Sequence, residues 1–417
     1  MPSNDVDPAE SANSAVRPWA SLLIRDFSLI WISSVLAATC VQIRNVSNLY
    51  QVYHLSGSSF QLGLTGFFQA LPHVVFGLFA GVLADAFDRK KVILATHFLH
   101  LVPSLSLGFL TMTGTIQVWH IYLFSLMSSL IEVFSWPARS AIVPGLVPPS
   151  YLMNAITLTS MILQSSFLVG PAVAGMLIDH IGLAFAYFIS ASLFVPAILA
   201  VLAMHSSGRP QGDRQRVSLR SMIEGIEFIW VQRIILSLFL LDFGVTLVGF
   251  YRPILPIFAS DVFQTGATGL GTLYGAPAMG SLLGSASVLM VGDVKRKGAL
   301  AVVAALFFAG GLVLLGISEW FWMAVAAVVL LGFMDSLSVA IRRTVVQFLA
   351  PDAMRGRAAS LITIFAQSTN ALGALLAGSA SQLWGAPKAL VLGGVVCVLI
   401  IFGIHRAIPQ LWRYRSE

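Results

Sequence analysis

Two stretches of the chain carry the same pattern of polar residues. Residues 132–148 read EVFSWPARSAIVPGLVP, and residues 335–351 read DSLSVAIRRTVVQFLAP. In both, an acidic residue is followed by serine, arginine and proline at the same spacings, and the two stretches lie 203 residues apart. Because such residues are scarce here, their agreement at one offset indicates a duplicated unit. The same offset pairs Gly63 with Gly266, Gly66 with Gly269, Gly77 with Gly280, Gly81 with Gly284, Gln164 with Gln367, Gly170 with Gly373, Gly175 with Gly378 and Gly182 with Gly385.

The composition indicates that the duplicated unit lies in a membrane. Of the 417 residues, 57% are hydrophobic and only 10% are charged, whereas soluble domains carry about 25% charged residues. Runs with little or no charge recur twelve times, each long enough to cross a hydrocarbon core of about 30 Å. The sequence therefore predicts an all-α membrane protein with twelve transmembrane helices in two pseudo-symmetric six-helix bundles. The predicted spans are 27–50, 62–84, 92–113, 118–139, 155–178, 183–204, 234–258, 268–292, 298–318, 321–341, 358–382 and 389–404.

Basic residues lie at the ends of the apolar runs and predict the topology. When the twelve spans alternate in direction, 21 of the 24 Lys and Arg residues fall on one side, and only Lys388 falls in a loop on the other. Because cytoplasmic loops are rich in Lys and Arg, we expect both termini to lie in the cytoplasm. The expected location is the bacterial inner membrane. The basic pI then reflects topology and not nucleic-acid binding. The predicted units are an N-terminal tail (1–26), a first bundle (27–204), a central loop with an amphipathic helix (205–233), a second bundle (234–406) and a C-terminal tail (407–417).

Three acidic residues inside the predicted spans are candidates for proton coupling. An ionisable residue within a span costs about 3 kcal/mol on insertion, so we expect each to face a bundle interior or a water-filled cavity. Glu132 and Asp335 each share a helix face with an arginine two turns away, so structural salt bridges explain them equally well. Asp242 has no basic residue within one turn, and this separation ranks it first as a proton site.

Two arginines inside predicted spans are candidates for substrate binding. Arg44 and Arg252 occupy similar levels in the outer third of the membrane, with Asn45, Asn48 and Tyr251 beside them. Together these residues predict a cationic region along an outward path, suited to an anionic compound such as a catecholate siderophore. The alternative is that each arginine reaches lipid headgroups or pairs with a nearby aspartate.

The sequence contains no sign of an enzyme, a cofactor site or a metal site. Cys40 and Cys397 both lie in apolar runs, which does not suggest a disulfide framework. There is no phosphate-binding glycine loop and no catalytic serine motif. His97 and His100 are three residues apart, but two histidines without further ligands are more typical of ordinary polar contacts. We therefore expect no cofactor, and a proton gradient as the energy source.

Two motifs resemble the major facilitator superfamily. Residues 81–91, GVLADAFDRKK, are similar to its loop between the second and third helices, and residues 166–175, SFLVGPAVAG, are similar to its antiporter signature. The resemblance extends from about residue 17 to residue 406 and implies two bundles that rock about a midplane site. It further implies a cytoplasmic gate formed by Gly81, Asp85, Arg89, Arg139 and Arg342. A helix-flexing motif is implied at Gly170, Pro171 and Gly175.

Shorter stretches resemble a narrower branch that contains the enterobactin exporter and macrolide efflux proteins. They are residues 137–144, PARSAIVP, and residues 252–259, RPILPIFA. The resemblance implies proton-driven export of a siderophore or a drug-like amphipathic compound by alternating access. The expected partners are a small-molecule substrate and the lipid bilayer, with the chain acting as a monomer. Two alternatives stay open: a facilitative or import carrier for a small metabolite, and a sensor or lipid-binding scaffold without transport.

Overall fold

The structure is a computed structural model that describes residues 19–206, 227, 230–291 and 296–413. The side chains of residues 78–86, 291, 352–360 and 413 lie outside that description. Most of the predicted N-terminal tail, most of the central loop with its amphipathic helix, and the last four residues of the C-terminal tail also lie outside it. All regular elements within the described residues are helices.

Twelve long helices account for the described part of the chain, and each predicted span falls on one of them. The helices are α1 (Arg25–Ser56), α2 (Ser59–Ala86), α3 (Arg89–Met112), α4 (Val118–Ile142), α5 (Leu152–Ile181), α6 (Leu183–Leu202), α7 (Arg233–Val262), α8 (Gly266–Val291), α9 (Lys297–Gly316), α10 (Phe321–Leu349), α11 (Asp352–Trp384) and α12 (Ala386–Ala407).

Eleven helices in the described residues are long and apolar enough to cross a membrane. The remaining long helix, α2, carries the polar residues Gln61, Gln69 and His73. Its 28 residues extend about 42 Å at 1.5 Å per residue, which exceeds the thickness of a hydrocarbon core. Helix α2 therefore has the length of a span, and its residues 67–84 contain no Asp, Glu, Lys or Arg.

The backbone repeats at the same offset as the sequence. Pro148 and Pro351, which precede α5 and α11, have φ and ψ of −59° and 152°, and of −54° and 150°. Gly182 and Gly385, which end the same two helices, both have positive φ, of 95° and 81°. Only glycine adopts such a φ at little cost, so conservation of glycine across the repeat has a geometric cause.

The two bundles meet through glycines on two pairs of helices. On α2 and α11, a Cβ at Gly63 would lie 2.5 Å from the Ala374 carbonyl oxygen and 3.0 Å from the Gly378 Cα. On the equivalent pair, α8 and α5, a Cβ at Gly175 would overlap the Ala267 carbonyl oxygen. These contacts lie toward the face where α1 ends and α2 begins, which we call the distal face. Small residues thus bring the bundles into backbone contact there.

Candidate functional site

A cavity of about 220 Å³ lies between the two bundles. Its lining combines amide side chains, two phenylalanine rings, a histidine, a tyrosine and one arginine. Several elements contribute, so the wall of the cavity depends on how the bundles sit against each other. The polar lining residues are Gln42 and Asn45 of α1, Gln69 and His73 of α2, Arg252 and Tyr274 of α7 and α8, and Gln367 and Asn370 of α11.

Arg252 reaches the cavity because α7 is interrupted. The regular helix ends at Val248 and the chain continues through a 3-10 turn that begins at Arg252. Pro253 follows directly, and a residue before proline is disfavoured in the α conformation. The Arg252 guanidinium carbon lies 5.9 Å from the centre of the Phe167 ring across the cavity, and the Tyr274 hydroxyl donates to the Arg252 carbonyl oxygen at 2.5 Å.

The predicted substrate-binding residues separate into two groups. Asn45 and Arg252 line the cavity. Arg44 is completely buried and donates to Ser104 Oγ at 3.0 Å, within the first bundle. Asn48 donates to the Ser125 hydroxyl in the same bundle, and Tyr251 is buried and hydrogen-bonds with the Arg252 side chain. Of the five predicted residues, only Asn45 and Arg252 line the cavity.

A charged network fills the interior of the first bundle. Glu132 of α4 forms an ion pair with Arg139 on its own helix, and its other carboxylate oxygen lies 3.4 Å from His100 Nε2 of α3. The opposite nitrogen of that ring, His100 Nδ1, lies 3.2 Å from Arg44 Nη2. Arg44 therefore belongs to this network, and its contact with His100 holds it away from the cavity.

The second bundle pairs its charges differently. Asp242 of α7 forms an ion pair with Arg342 of α10, so the expectation that Asp242 stands apart from basic residues is wrong in three dimensions. Sequence separation on one helix did not reveal a partner on the neighbouring helix. Asp335 and Asp242 border a second cavity of about 20 Å³, which is large enough for one water molecule.

Hydrogen bonds join the bundles at the distal face, in a symmetric arrangement. Asp179 at the end of α5 accepts from the Ala267 and Thr268 backbone N–H groups at the start of α8, at 3.1 and 2.7 Å. Gln382, which lies 203 residues later near the end of α11, accepts from Ser58 Oγ at 3.0 Å and from the Phe60 backbone N–H at 3.4 Å. Each bundle therefore caps a helix start of the other.

A further hydrogen bond crosses the distal face from the Tyr53 hydroxyl of α1 to the Asp261 carboxylate of α7. A side chain that joins two bundles in one conformation has to release its partner when they separate. The distal contacts are thus the part of the structure that any opening of the cavity on that side has to break.

Comparison with known proteins identifies the chain. The sequence profile of the transmembrane secretion effectors, a branch of the major facilitator superfamily, matches residues 16–413. The chain belongs to this family. It is therefore a multi-pass membrane protein and a secondary active efflux transporter, and it is not an enzyme.

Similar proteins agree with this assignment. The enterobactin exporter EntS of Shigella boydii is 25% identical to the transporter over 389 residues, covering 91% of this chain and 92% of the relative. EntS of Escherichia coli O1:K1 is 24% identical over 387 residues, with the same coverage.

Solved structures of low sequence identity share the fold. A bacterial homologue of the human lysosomal transporter Spinster, in an inward-facing and unoccupied conformation, has a TM-score of 0.72 and 16% identity over 97% of this chain and 100% of that chain. The nucleoside transporter NupG has a TM-score of 0.74 and 14% identity over 93% of this chain and 99% of that one. The predicted two-bundle, all-α fold of the transporter is thus confirmed.

The residues predicted to form a cytoplasmic gate lie on α2, α3, α4 and α10. Arg139 and Arg342 each pair with a carboxylate of their own bundle, and Arg89 donates to the Ala141 carbonyl oxygen at 2.9 Å. Gly81 and Asp85 fall on α2 among residues whose side chains lie outside the description. Next to them, Asp88 caps α3 by accepting from the Lys90 and Lys91 backbone N–H groups at 3.0 and 3.3 Å.

The antiporter-like motif of the transporter lies where α5 contacts two other helices. A Cβ at Gly170 would lie 2.5 Å from the Gln42 Cβ of α1. One turn later, Gly175 permits the contact with α8 across the bundle interface, and Pro171 between them borders the cavity. The motif therefore gives α5 close contacts in both bundles.

Sequence reasoning missed the cavity's histidine and most of its amides. Gln42 and Asn45 are three residues apart on α1, with the Asn45 amide 3.3 Å from Gln42 Oε1, and Gln367 and Asn370 repeat that spacing on α11 at 3.4 Å. Two amides at this spacing face the same side of a helix. Amide pairs at this spacing inside apolar spans could therefore have predicted which residues line the cavity.

Proposed function

We propose that the transporter exports an amphipathic compound of the catecholate siderophore class in exchange for protons, by alternating access. It lies in the bacterial inner membrane with both termini in the cytoplasm, and it works as a single chain. The observation that carries the proposal is the cavity between the bundles, where one cation sits among amides and aromatic rings. The names of the relatives, which are enterobactin exporters, support the substrate class.

The cavity lining suits a compound rich in hydroxyl and carbonyl groups. Arg252 is the ionised side chain in the cavity lining, and a hydrogen bond to a charged group is worth about 1.5–3 kcal/mol. The amides of Asn45 and Asn370 offer both donors and acceptors. Phe167 and Phe250 provide flat apolar surface against which an aromatic ring packs. Together they recognise an aromatic compound with polar ring substituents.

The energy source is the proton gradient, and no cofactor takes part. Glu132, Asp242 and Asp335 are the acidic residues inside the bundles that take part in the proton coupling. The small cavity beside Asp242 and Asp335 gives these two carboxylates room for water. Glu132 lies near the central cavity, because it follows Ser129 by three residues on α4 and Ser129 contacts His73, whose ring borders that cavity.

The distal contacts hold the bundles together in one state of the transport cycle. Asp179, Gln382 and Tyr53 close the distal face, so the substrate enters from the face that carries the termini. Opening on the distal side requires these bonds to break while the gate residues near the termini engage. Arg139 and Arg342 then exchange their present partners for groups on the opposite bundle.

Proteoliposomes with an imposed pH gradient test the proposal with enterobactin as the probe. We expect uphill movement of enterobactin only when protons move in the opposite direction. The Arg252→Gln variant should bind enterobactin about 10- to 100-fold more weakly, which corresponds to loss of one charged hydrogen bond. Arg343→Gln, which removes an exposed charge from α10, is the matched control and should bind normally.

Other outcomes would point to the alternatives. Downhill movement that ignores the pH gradient, also after amide replacement of all three acidic residues, would indicate a facilitative carrier. Binding of enterobactin without any movement across the bilayer would indicate a sensor.

A further inference from the structure

His73 lies where the central cavity meets the polar interior of the first bundle. It borders the cavity, and its Nδ1 lies 2.9 Å from the Ser129 Oγ of α4. His73 and Glu132 are each fourteen residues from the distal start of their helices, which is about 21 Å at 1.5 Å per residue. The imidazole therefore sits at about the level of the Glu132 carboxylate and borders the central cavity.

The hydrogen bonds around His73 define which ring nitrogen carries the hydrogen. The Ser129 hydroxyl donates to the Gln69 backbone carbonyl oxygen. A hydroxyl has one hydrogen to donate, so Ser129 Oγ is the acceptor in its contact with His73. Nδ1 of His73 is consequently the donor, and in the neutral ring the lone pair lies on Nε2.

The charges around this histidine come mainly from its own bundle. Glu132 follows Ser129 by three residues on the same face of α4, and Ser129 contacts His73. On the other side, α11 carries no charged residue between positions 361 and 384. The other ionisable groups around this cluster are Arg44 of α1, His97 and His100 of α3, Arg139 of α4 and, across the cavity, Arg252.

Building on the proton-coupled export proposed above, we propose that His73 Nε2 is a shared site at which a substrate hydroxyl and the transported proton exclude each other. The neutral ring accepts a hydrogen bond from a hydroxyl of the substrate. When a proton from cavity water forms an N–H bond at Nε2, the acceptor is lost, and the Glu132 carboxylate balances the new positive charge. When substrate binds, that N–H bond breaks and the proton returns to water.

This exclusion produces antiport without a contact between the substrate and Glu132. Substrate that enters from the cytoplasmic side releases one proton there. A proton that arrives from the distal side displaces the substrate outward. The imidazole thus acts on the substrate directly, and Glu132 acts by stabilising the protonated ring.

A histidine titration tests the first half of the proposal on the purified full-length chain. In nitrogen-15 NMR spectra of histidine-labelled protein, we expect one titrating ring signal that is absent from the His73→Gln variant. His97→Gln is the matched control, because His97 lies in the same bundle but contacts Ser33 at 3.0 Å. It should leave that signal in place. If no titrating signal disappears with His73→Gln, the proposal is wrong.

The pH dependence of enterobactin binding tests the second half. For the wild type, the affinity for enterobactin should fall about tenfold for each unit by which the pH is lowered below the pKa of the His73 ring. In His73→Gln, which keeps a hydrogen-bonding side chain but does not titrate, the affinity should not change with pH. His97→Gln should follow the wild type. An unchanged slope in His73→Gln would refute the role of His73 alone, whereas failure of the wild type to export enterobactin uphill would refute the proposed function.

Discussion

The helix pair α2 and α4 and its repeat, α8 and α10, descend from one unit but are packed differently. On the α8 side, a Cβ at Gly280 would overlap the Val329 carbonyl oxygen, and one at Gly332 would overlap the Pro277 carbonyl oxygen. The counterpart of Gly280 is Gly77, where a side chain would meet open space. The second bundle therefore has a tightly packed pair where the first bundle has a looser one.

The looser pair contains the polar side chains. His73 and Ser129, which contact each other between α2 and α4, correspond at the 203-residue offset to Ala276 and Gly332. A helix pair in backbone contact leaves no room for an imidazole and a hydroxyl. After duplication, the two helix pairs therefore differ. The α8–α10 pair is compact, whereas the α2–α4 pair contains His73, the side chain that binds the proton in our proposal.

Charge pairing has diverged in the same manner. Glu132 pairs with Arg139 along α4, whereas the repeat of that arginine, Arg342, pairs with Asp242 of α7. Helix α1, the counterpart of α7, has no acidic residue between Phe27 and Ser56. The two copies therefore neutralise equivalent arginines with carboxylates from different helices, so that removing each carboxylate has a separate consequence.

The largest expected effect comes from removing these carboxylates. Glu132→Gln removes the carboxylate that pairs with the buried Arg139, and Asp242→Asn removes the one that pairs with the buried Arg342. Breaking a buried ion pair costs about 3–5 kcal/mol, and we expect Glu132→Gln to lie at the upper end because Glu132 also contacts His100. Thermal unfolding in detergent, followed by tryptophan fluorescence, measures both losses.

Matched variants separate charge pairing from other causes. Glu319→Gln, at an exposed position, should stay within about 0.5 kcal/mol of the wild type. The double variants Glu132→Gln with Arg139→Gln, and Asp242→Asn with Arg342→Gln, should recover part of the loss, because the arginine that lost its ion-pair partner is also removed. If Glu132→Gln and Asp242→Asn both unfold at the temperature of Glu319→Gln, the two bundles do not depend on these pairs.

The next effect tests the packing difference directly. Gly280→Ala forces α8 and α10 apart and should destabilise the transporter by about 1–3 kcal/mol. Gly77→Ala, at the equivalent position of α2, should change stability by less than about 0.5 kcal/mol. Equal unfolding temperatures for the two alanine variants would show that both helix pairs tolerate the same separation, and the contrast between the bundles would then be false.

The fold could be predicted because scarce residues recur at one offset in an apolar chain. The pairing of Glu132 with Arg139 was open to prediction as well, since both lie on one face of one helix. The pairing of Asp242 with Arg342 was not, because it depends on which helices are neighbours in space. A pattern on a single helix carries no information about its neighbours.

The lining of the cavity was harder to predict for a geometric reason. Arg44 and Asn45 are adjacent in sequence, yet one is buried inside the first bundle and the other borders the cavity. Successive residues on an α-helix point about 100° apart, so membership of the site depends on the rotation of α1 about its own axis. That rotation is set by packing against other helices. Arg252 was easier to place, since a proline after it interrupts α7.

The smallest expected effect concerns the two caps that the repeat has made unequal. Asp179 presents a carboxylate to the start of α8, whereas its counterpart Gln382 presents a neutral amide to the start of α2. A negative charge at a helix N-terminus contributes about 0.3–1 kcal/mol. Asp179→Asn should therefore loosen the distal face, and Gln382→Glu should tighten it.

Cysteine labelling measures this difference in the closed state. In a variant without the buried Cys40 and Cys397, a cysteine introduced at the cavity residue Asn370 is labelled by a membrane-impermeant maleimide from the distal side. A helix-end charge that contributes up to about 1 kcal/mol changes the labelling rate by up to about fivefold. The labelling rate should therefore rise in Asp179→Asn and fall by a similar factor in Gln382→Glu. Lys388→Gln, at an exposed distal position, should leave the rate unchanged. If both cap variants shift the rate in the same direction, helix-end charge does not control the distal face, and the asymmetry between the two caps has no part in closing it.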